Sequence, residues 1–182
     1  LMFTDVAISR WLAALVPLVI TIQFALVGWG VVKDEAAVKA MSRTGDPREI
    51  LRGPLFYGIV FVAMTLIYWK DSLIGIPALM ILCGGDGIAD IVGRRVKSRR
   101  LFWSPEKSVA GSLSVFLGGW LLTMFIFTIY VWMGAFSGPT TRFVLPVTIV
   151  AVAATLIESL PFKDIDNITI ALACALIGYL VF

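Results

Sequence analysis

Residues 109–133 read VAGSLSVFLGGWLLTMFIFTIYVWM, an apolar run without one charged side chain. At about 1.5 Å per residue, such a helix is long enough to cross the roughly 30 Å hydrocarbon core of a bilayer. Working outward, five more apolar segments can be marked, at residues 6–31, 54–69, 72–92, 143–160 and 168–182. The expected fold is all-α: a polytopic integral membrane protein of about six transmembrane helices, organised as one membrane-embedded domain over residues 1–182. Composition agrees, since only 15% of the residues are charged, whereas soluble domains carry about 25%. Most of the tryptophans (Trp11, Trp29, Trp69, Trp103, Trp120 and Trp132) fall near segment ends, where an interfacial aromatic belt would put them.

The connections carry the polar chemistry. If all six segments span, the loops at residues 32–53, 93–108 and 161–167 share one face. Twelve Lys and Arg then lie on that face and three, Arg10, Lys70 and Arg142, on the other. The positive-inside rule assigns the basic face to the cytoplasm, or to the stroma of a plastid. The net charge of +3 therefore belongs to membrane loops, and no nucleic-acid partner is expected. There is no histidine, which excludes a His base or a His-ligated zinc within the chain. Cys83 and Cys174 lie in apolar segments without metal spacing and read as small buried hydrophobes. The chain opens Leu1-Met2 within an apolar segment, which reads as an incomplete N-terminus.

The third segment ends CGGDGIADIVGRR, residues 83–95. Asp86 and Asp90 are four apart and share a helical face. Asp86 lies eight residues before Arg94, hence about 12 Å into the apolar layer. Ionised carboxylates at that depth are costly and repel each other, so a bound cation is the natural neutraliser. Oxygen-only ligands suit Mg²⁺ shared with a nucleotide phosphate. Gly84, Gly85, Gly87 and Gly93 would admit a close backbone or ligand; small-residue helix packing with an ion pair is the structural alternative.

Next comes SPEKSVAGS, residues 104–112. It opens the fourth span, and Lys107 with Ser108, Gly111 and Ser112 at a helix start could hold phosphate. The spacing of a P-loop is absent. For Arg99 and Arg100, lipid headgroup contact and topology suffice. The fifth segment ends ESLPFKDIDN, residues 158–167. Glu158 lies inside the apolar run and offers a further oxygen ligand or a base for a hydroxyl. Asp164, Asp166 and Asn167 follow it, and Asp166 or Asn167 could instead cap the sixth helix. A metal, a charge clamp and a positioned hydroxyl are the parts phosphoryl transfer uses.

With these stretches and SRTGDPREILRGPLFY at residues 42–57, the sequence resembles the polyprenol kinase family of phytol, farnesol and dolichol kinases, nearest the phytol kinase branch. The resemblance implies a kinase-like domain that phosphorylates a membrane prenyl alcohol such as phytol, with CTP as donor, for tocopherol and related prenyl-lipid synthesis. It implies a chloroplast membrane in a photosynthetic eukaryote, and otherwise the cell or endoplasmic reticulum membrane. In this reading Asp86 and Asp90 hold Mg²⁺; Gly85, Gly87, Lys107, Ser108, Gly111 and Ser112 hold the nucleotide; Glu158 assists the metal or the hydroxyl. Family members usually carry a further N-terminal helix with a basic, His-containing stretch. Dolichol or diacylglycerol kinase and phosphatidate cytidylyltransferase are the neighbouring enzyme readings. An ion-coupled transporter is the non-enzyme one; it predicts inverted repeats, and none is visible.

Overall fold

The computed structural model describes residues 7–42, 44–162 and 164–182; the side chains of Ala7, Asp86, Asp90 and Arg94 lie outside the described part. The chain is an all-α polytopic membrane protein, with five helices long and apolar enough to cross a membrane. Its described residues form two compact units. The first holds the chain up to Lys70 together with Asp164–Ile168, and the second holds the rest.

In the first unit, α1 (Ala7–Gly28) and α3 (Gly53–Ile67) pair antiparallel, with α2 (Glu35–Met41) between them in sequence. Arg10, near the start of α1, donates from Nη1 to the Leu66 carbonyl near the end of α3 (3.2 Å). At the other end a methyl group on Gly28 would run into Leu51. Gly58 admits the Thr21 side chain in the same way, so the seam closes through small residues. The second apolar segment is longer than its hydropathy suggests. Asp46 accepts from the Arg48 N–H (2.9 Å) and caps a 3₁₀ turn, Pro47–Leu51, that leads into α3. The resulting span, Pro47–Ile67, is 21 residues long.

In the second unit, α4 (Gly75–Met80), a π-helical stretch (Ile81–Asp86) and α5 (Gly87–Arg95) run on as one span, Gly75–Gly93. Next come β1 (Arg100–Leu101), β2 (Ser104–Ser108), α6 (Val109–Trp132), α7 (Val144–Glu158) and, from Thr169 on, α8 (Asp166–Val181), whose first three residues belong to the first unit. The π stretch packs on α6 through facing glycines. A methyl group on Gly118 would lie 2.4 Å from the Gly84 carbonyl oxygen, and one on Gly85 would lie 2.8 Å from that of Val115. Ile76, Phe127, Tyr130, Phe136, Phe143 and Val147 form a core away from these glycines. α8 is a 16-residue apolar helix, about 24 Å at 1.5 Å per residue and so shorter than the hydrocarbon core.

Residues 93–108 hold more structure than a plain connection. β1 and β2 form a small antiparallel hairpin, pairing Arg100 with Ser108 and Leu101 with Ser104. A strand shows in sequence as apolar and polar residues alternating over about 4–8 positions; this stretch does not alternate and contains Pro105.

Candidate active site

Between the paired positions Ser104 and Ser108, β2 carries three residues, Pro105, Glu106 and Lys107, where β1 has none, a bulge on β2. Bulges bend a strand and re-aim its side chains. Here the bulge carries Lys107, whose Nζ lies 2.8 Å from Oε1 of Glu158 at the end of α7. The second oxygen of that carboxylate, Oε2, accepts from the Ser112 hydroxyl in the first turn of α6 (3.1 Å). Glu158 is buried, with 6% of its side chain exposed, and Lys107 keeps 20%. A carboxylate in so enclosed a place needs both a counter-charge and further hydrogen bonds, and the two oxygens have one donor each.

The start of α6 is closed by the protein itself. Ser108 is the N-cap, and its Oγ accepts from the Gly111 N–H (3.1 Å). The Ala110 N–H donates to Ser98 Oγ (3.1 Å), and the Val109 N–H donates to the Arg99 carbonyl (3.0 Å). The first amide donors are thus used internally, so an anion at this end would meet Lys107 and the helix dipole rather than open N–H groups. Ser98 had no signal in sequence, because its partner lies twelve residues on and the hairpin brings them together.

The Asp-bearing turn lies beside this helix start. A methyl group on Gly111 would stand 3.9 Å from the Ala89 carbonyl oxygen, and one on Gly93 would stand 3.8 Å from Ser108 Oγ. Asp86 closes the π stretch and Asp90 lies in α5; their side chains lie outside the described residues. At Gly85 the close approach is made by the backbone of α6, whereas a side chain at Gly87 would meet open space. No group of three or more metal-type ligands occurs among the described residues.

Trp103 ties the hairpin to α7 as well, its indole Nε1 donating to the Ser159 carbonyl (2.9 Å). Asp164 and Asn167 belong to the first unit. Asp164 pairs with Arg52 (3.2 Å), Asn167 donates from Nδ2 to the Gly53 carbonyl (3.0 Å), and the Asp166 carboxylate accepts from the Asn167 N–H (3.2 Å). Asn167 Oδ1 is buried with no hydrogen-bond partner among the described residues, a place where an ordered water is commonly found.

No family model matches the chain, and no solved structure does. Curated proteins do. A probable chloroplastic phytol kinase of Triticum aestivum is 39% identical over 183 residues, covering 100% of this chain and 61% of that protein. The chloroplastic farnesol kinase of Arabidopsis thaliana is 41% identical over 175 residues (93% and 56%). Phytol kinase 1 of the same plant, also chloroplastic, is 36% identical over 176 residues (96% and 58%). The chain spans about three fifths of the length of the curated relatives it matches.

Proposed function

We propose, from a likeness to phytol and farnesol kinases that covers 93–100% of the chain at 36–41% identity, that it forms the membrane-embedded part of a prenyl alcohol kinase. Phytol is the acceptor and a nucleoside triphosphate, CTP, the donor. The setting is a plastid membrane, as the relatives' names suggest. The observation that carries the reading is the clustering, within one unit, of the Asp86–Asp90 turn, the α6 start and the Lys107–Glu158 pair.

The reaction moves a terminal phosphoryl group. A phosphorus–oxygen bond forms at the alcohol as the bridging bond to the nucleoside diphosphate breaks, and the alcohol's proton passes to solvent water. Charge gathers on phosphate oxygens throughout, so catalysis rests on positioning and electrostatics. Asp86 and Asp90, oxygen donors one turn apart, fit Mg²⁺, which takes one or two carboxylates and completes its shell with phosphate and water. Bound there, the ion would neutralise phosphate charge. Lys107 supplies the positive charge at the start of α6. Glu158, with both oxygens engaged, orients Lys107 and Ser112 and is a positioning group in this reading rather than a base.

Membranes bearing the full-length protein, Mg²⁺, and CTP labelled in turn at the γ- and α-phosphorus provide the test. Transfer of γ label to phytol is expected. Transfer of the α label to a phospholipid would replace this reading with a cytidylyltransferase. No label on phytol, farnesol, dolichol or diacylglycerol would end the kinase reading.

A further inference from the structure

The hairpin turn breaks a local rule. Leu101 pairs with Ser104, so the turn consists of Phe102 and Trp103. Two-residue hairpin turns favour Asn-Gly or Gly-containing pairs at positive φ. Neither aromatic residue has positive φ, so backbone geometry gives no reason for two bulky rings here. Phe102 is 90% exposed and Trp103 44%, and the rings meet edge to face at 4.5 Å between centroids. The tip is held in place, not loose. Trp103 is bonded to the end of α7, Arg100 Nη1 donates to the Glu106 carbonyl (2.9 Å), and Ser98 and Arg99 hold the first amides of α6. Exposing a large apolar ring on a rigid support is costly in water and marks an interaction surface.

Two facts identify what covers it. The hairpin joins a span ending at Gly93 to a span beginning at Val109, so it lies where both leave the bilayer. Around the rings, Arg95, Lys97, Arg99 and Arg100 are exposed, against Glu106 as the one acidic residue between Gly93 and Ser108. We propose that the β1–β2 hairpin is an interfacial foot: Phe102 and Trp103 lie in the headgroup layer, and the basic residues bind anionic lipid headgroups. Aromatic rings of this kind settle at the boundary between acyl chains and headgroups, and basic residues near the surface are drawn to anionic lipid. The foot fixes the height of the β2 bulge, and so of Lys107, relative to the level at which a lipid alcohol presents its hydroxyl. The membrane contact itself does not depend on the kinase reading.

The test uses the full chain, with Cys83 and Cys174 replaced by alanine, a nitroxide attached at Phe102→Cys, and reconstitution into vesicles. The accessibility of the label to oxygen and to a water-soluble nickel chelate gives its depth. In vesicles of phosphatidylcholine with phosphatidylglycerol, a several-fold higher oxygen-to-nickel ratio than at a label on exposed Ser137 is expected. In pure phosphatidylcholine, or with Lys97→Glu and Arg99→Glu, the label should move toward water. A label equally open to nickel in both lipids would overturn the proposal. So would strong label–label coupling between two copies, which would make the tip a dimer contact, or protection that does not respond to anionic lipid. Trp103→Phe, which keeps the ring and loses the bond to Ser159, should leave the depth unchanged if the lipid rather than the tether holds the tip.

Discussion

Two cations stand in matching places in this molecule and do different things. Arg52 immediately precedes α3 and pairs with Asp164, 112 residues downstream; Lys107 precedes α6 by two positions and pairs with Glu158, 51 residues downstream. Around Arg52 the polar groups satisfy one another locally: Thr44 with Glu49, Gly45 with Ser42, Arg48 with Asp46. The Arg52 pair itself is open, with side chains 62% and 36% exposed. Around Lys107 the bonds are long in sequence and the pair is enclosed, at 20% and 6%. An open pair loses little when broken, because water replaces each partner. An enclosed pair leaves a stranded charge when one partner goes. The motif "cation before a helix" thus stands in an open pair in one unit and an enclosed pair in the other, and burial is what separates them.

The largest effect should come from breaking the enclosed pair. Lys107→Ala removes the cation beside Glu158, leaves the Ser112 hydroxyl on its other oxygen, and should cost about 3 kcal/mol or more in stability. Phosphoryl transfer should fall below detection. Because Cys174 is buried, its rate of labelling by a thiol reagent on heating reports unfolding. The double variant Lys107→Met with Glu158→Leu should regain most of the stability and none of the activity. Recovery of activity in the double variant would remove Lys107 from the chemistry. Next is Gly118→Ala, whose new methyl would meet the Gly84 carbonyl at 2.4 Å. Backbone cannot step aside as a side chain can, so about 1–3 kcal/mol of overpacking is expected, together with displacement of the π stretch that ends at Asp86. A thermal shift in detergent and the transfer assay read both.

Ser108→Ala gives a smaller effect and separates two roles. As an N-cap accepting from Gly111, Ser108 is worth about 1 kcal/mol, and the variant should keep its apparent KM for nucleotide. A several-fold rise in that KM with unchanged thermal stability would instead mean that the hydroxyl contacts phosphate.

The spans were legible because lipid imposes a one-dimensional demand, about 20 apolar residues in a row, that a window can read. The start of α6 at Val109 and the length of α1 and α6 follow from it. The extension of the second span back to Pro47 was not legible. Pro47-Arg48-Glu49 is polar, and its turn is held by Asp46, which reads as loop chemistry. The candidate residues were visible as carboxylates and a lysine whose loops share one face, so their convergence was legible, but their individual contacts were not. Nothing in spacing says that Lys107 reaches Glu158, since that depends on a three-residue bulge set by a two-strand ladder. Nor does composition show that the α6 amides are already taken by Ser98, Arg99 and Ser108. A helix start reads as an anion site until its own caps are known.

The smallest effect lies in the open pair, and there a glycine tells more than an alanine. Asp164 has φ of 69°, the one positive value among described non-glycine residues. A left-handed residue with a Cβ costs roughly 1–2 kcal/mol, somewhat less for Asp than for others, whereas the exposed bond to Arg52 returns about 0–1 kcal/mol. Asp164→Ala loses the bond and keeps the strain, so it should be slightly destabilised. Asp164→Gly loses the same bond and releases the strain, and should match or exceed the parent. Arg52→Ala should cost under about 1 kcal/mol, and less as salt is raised. If Asp164→Gly proved as damaging as Lys107→Ala, the difference in burial would not govern these two pairs. Asp164 would then have to be counted among the groups that act on substrate.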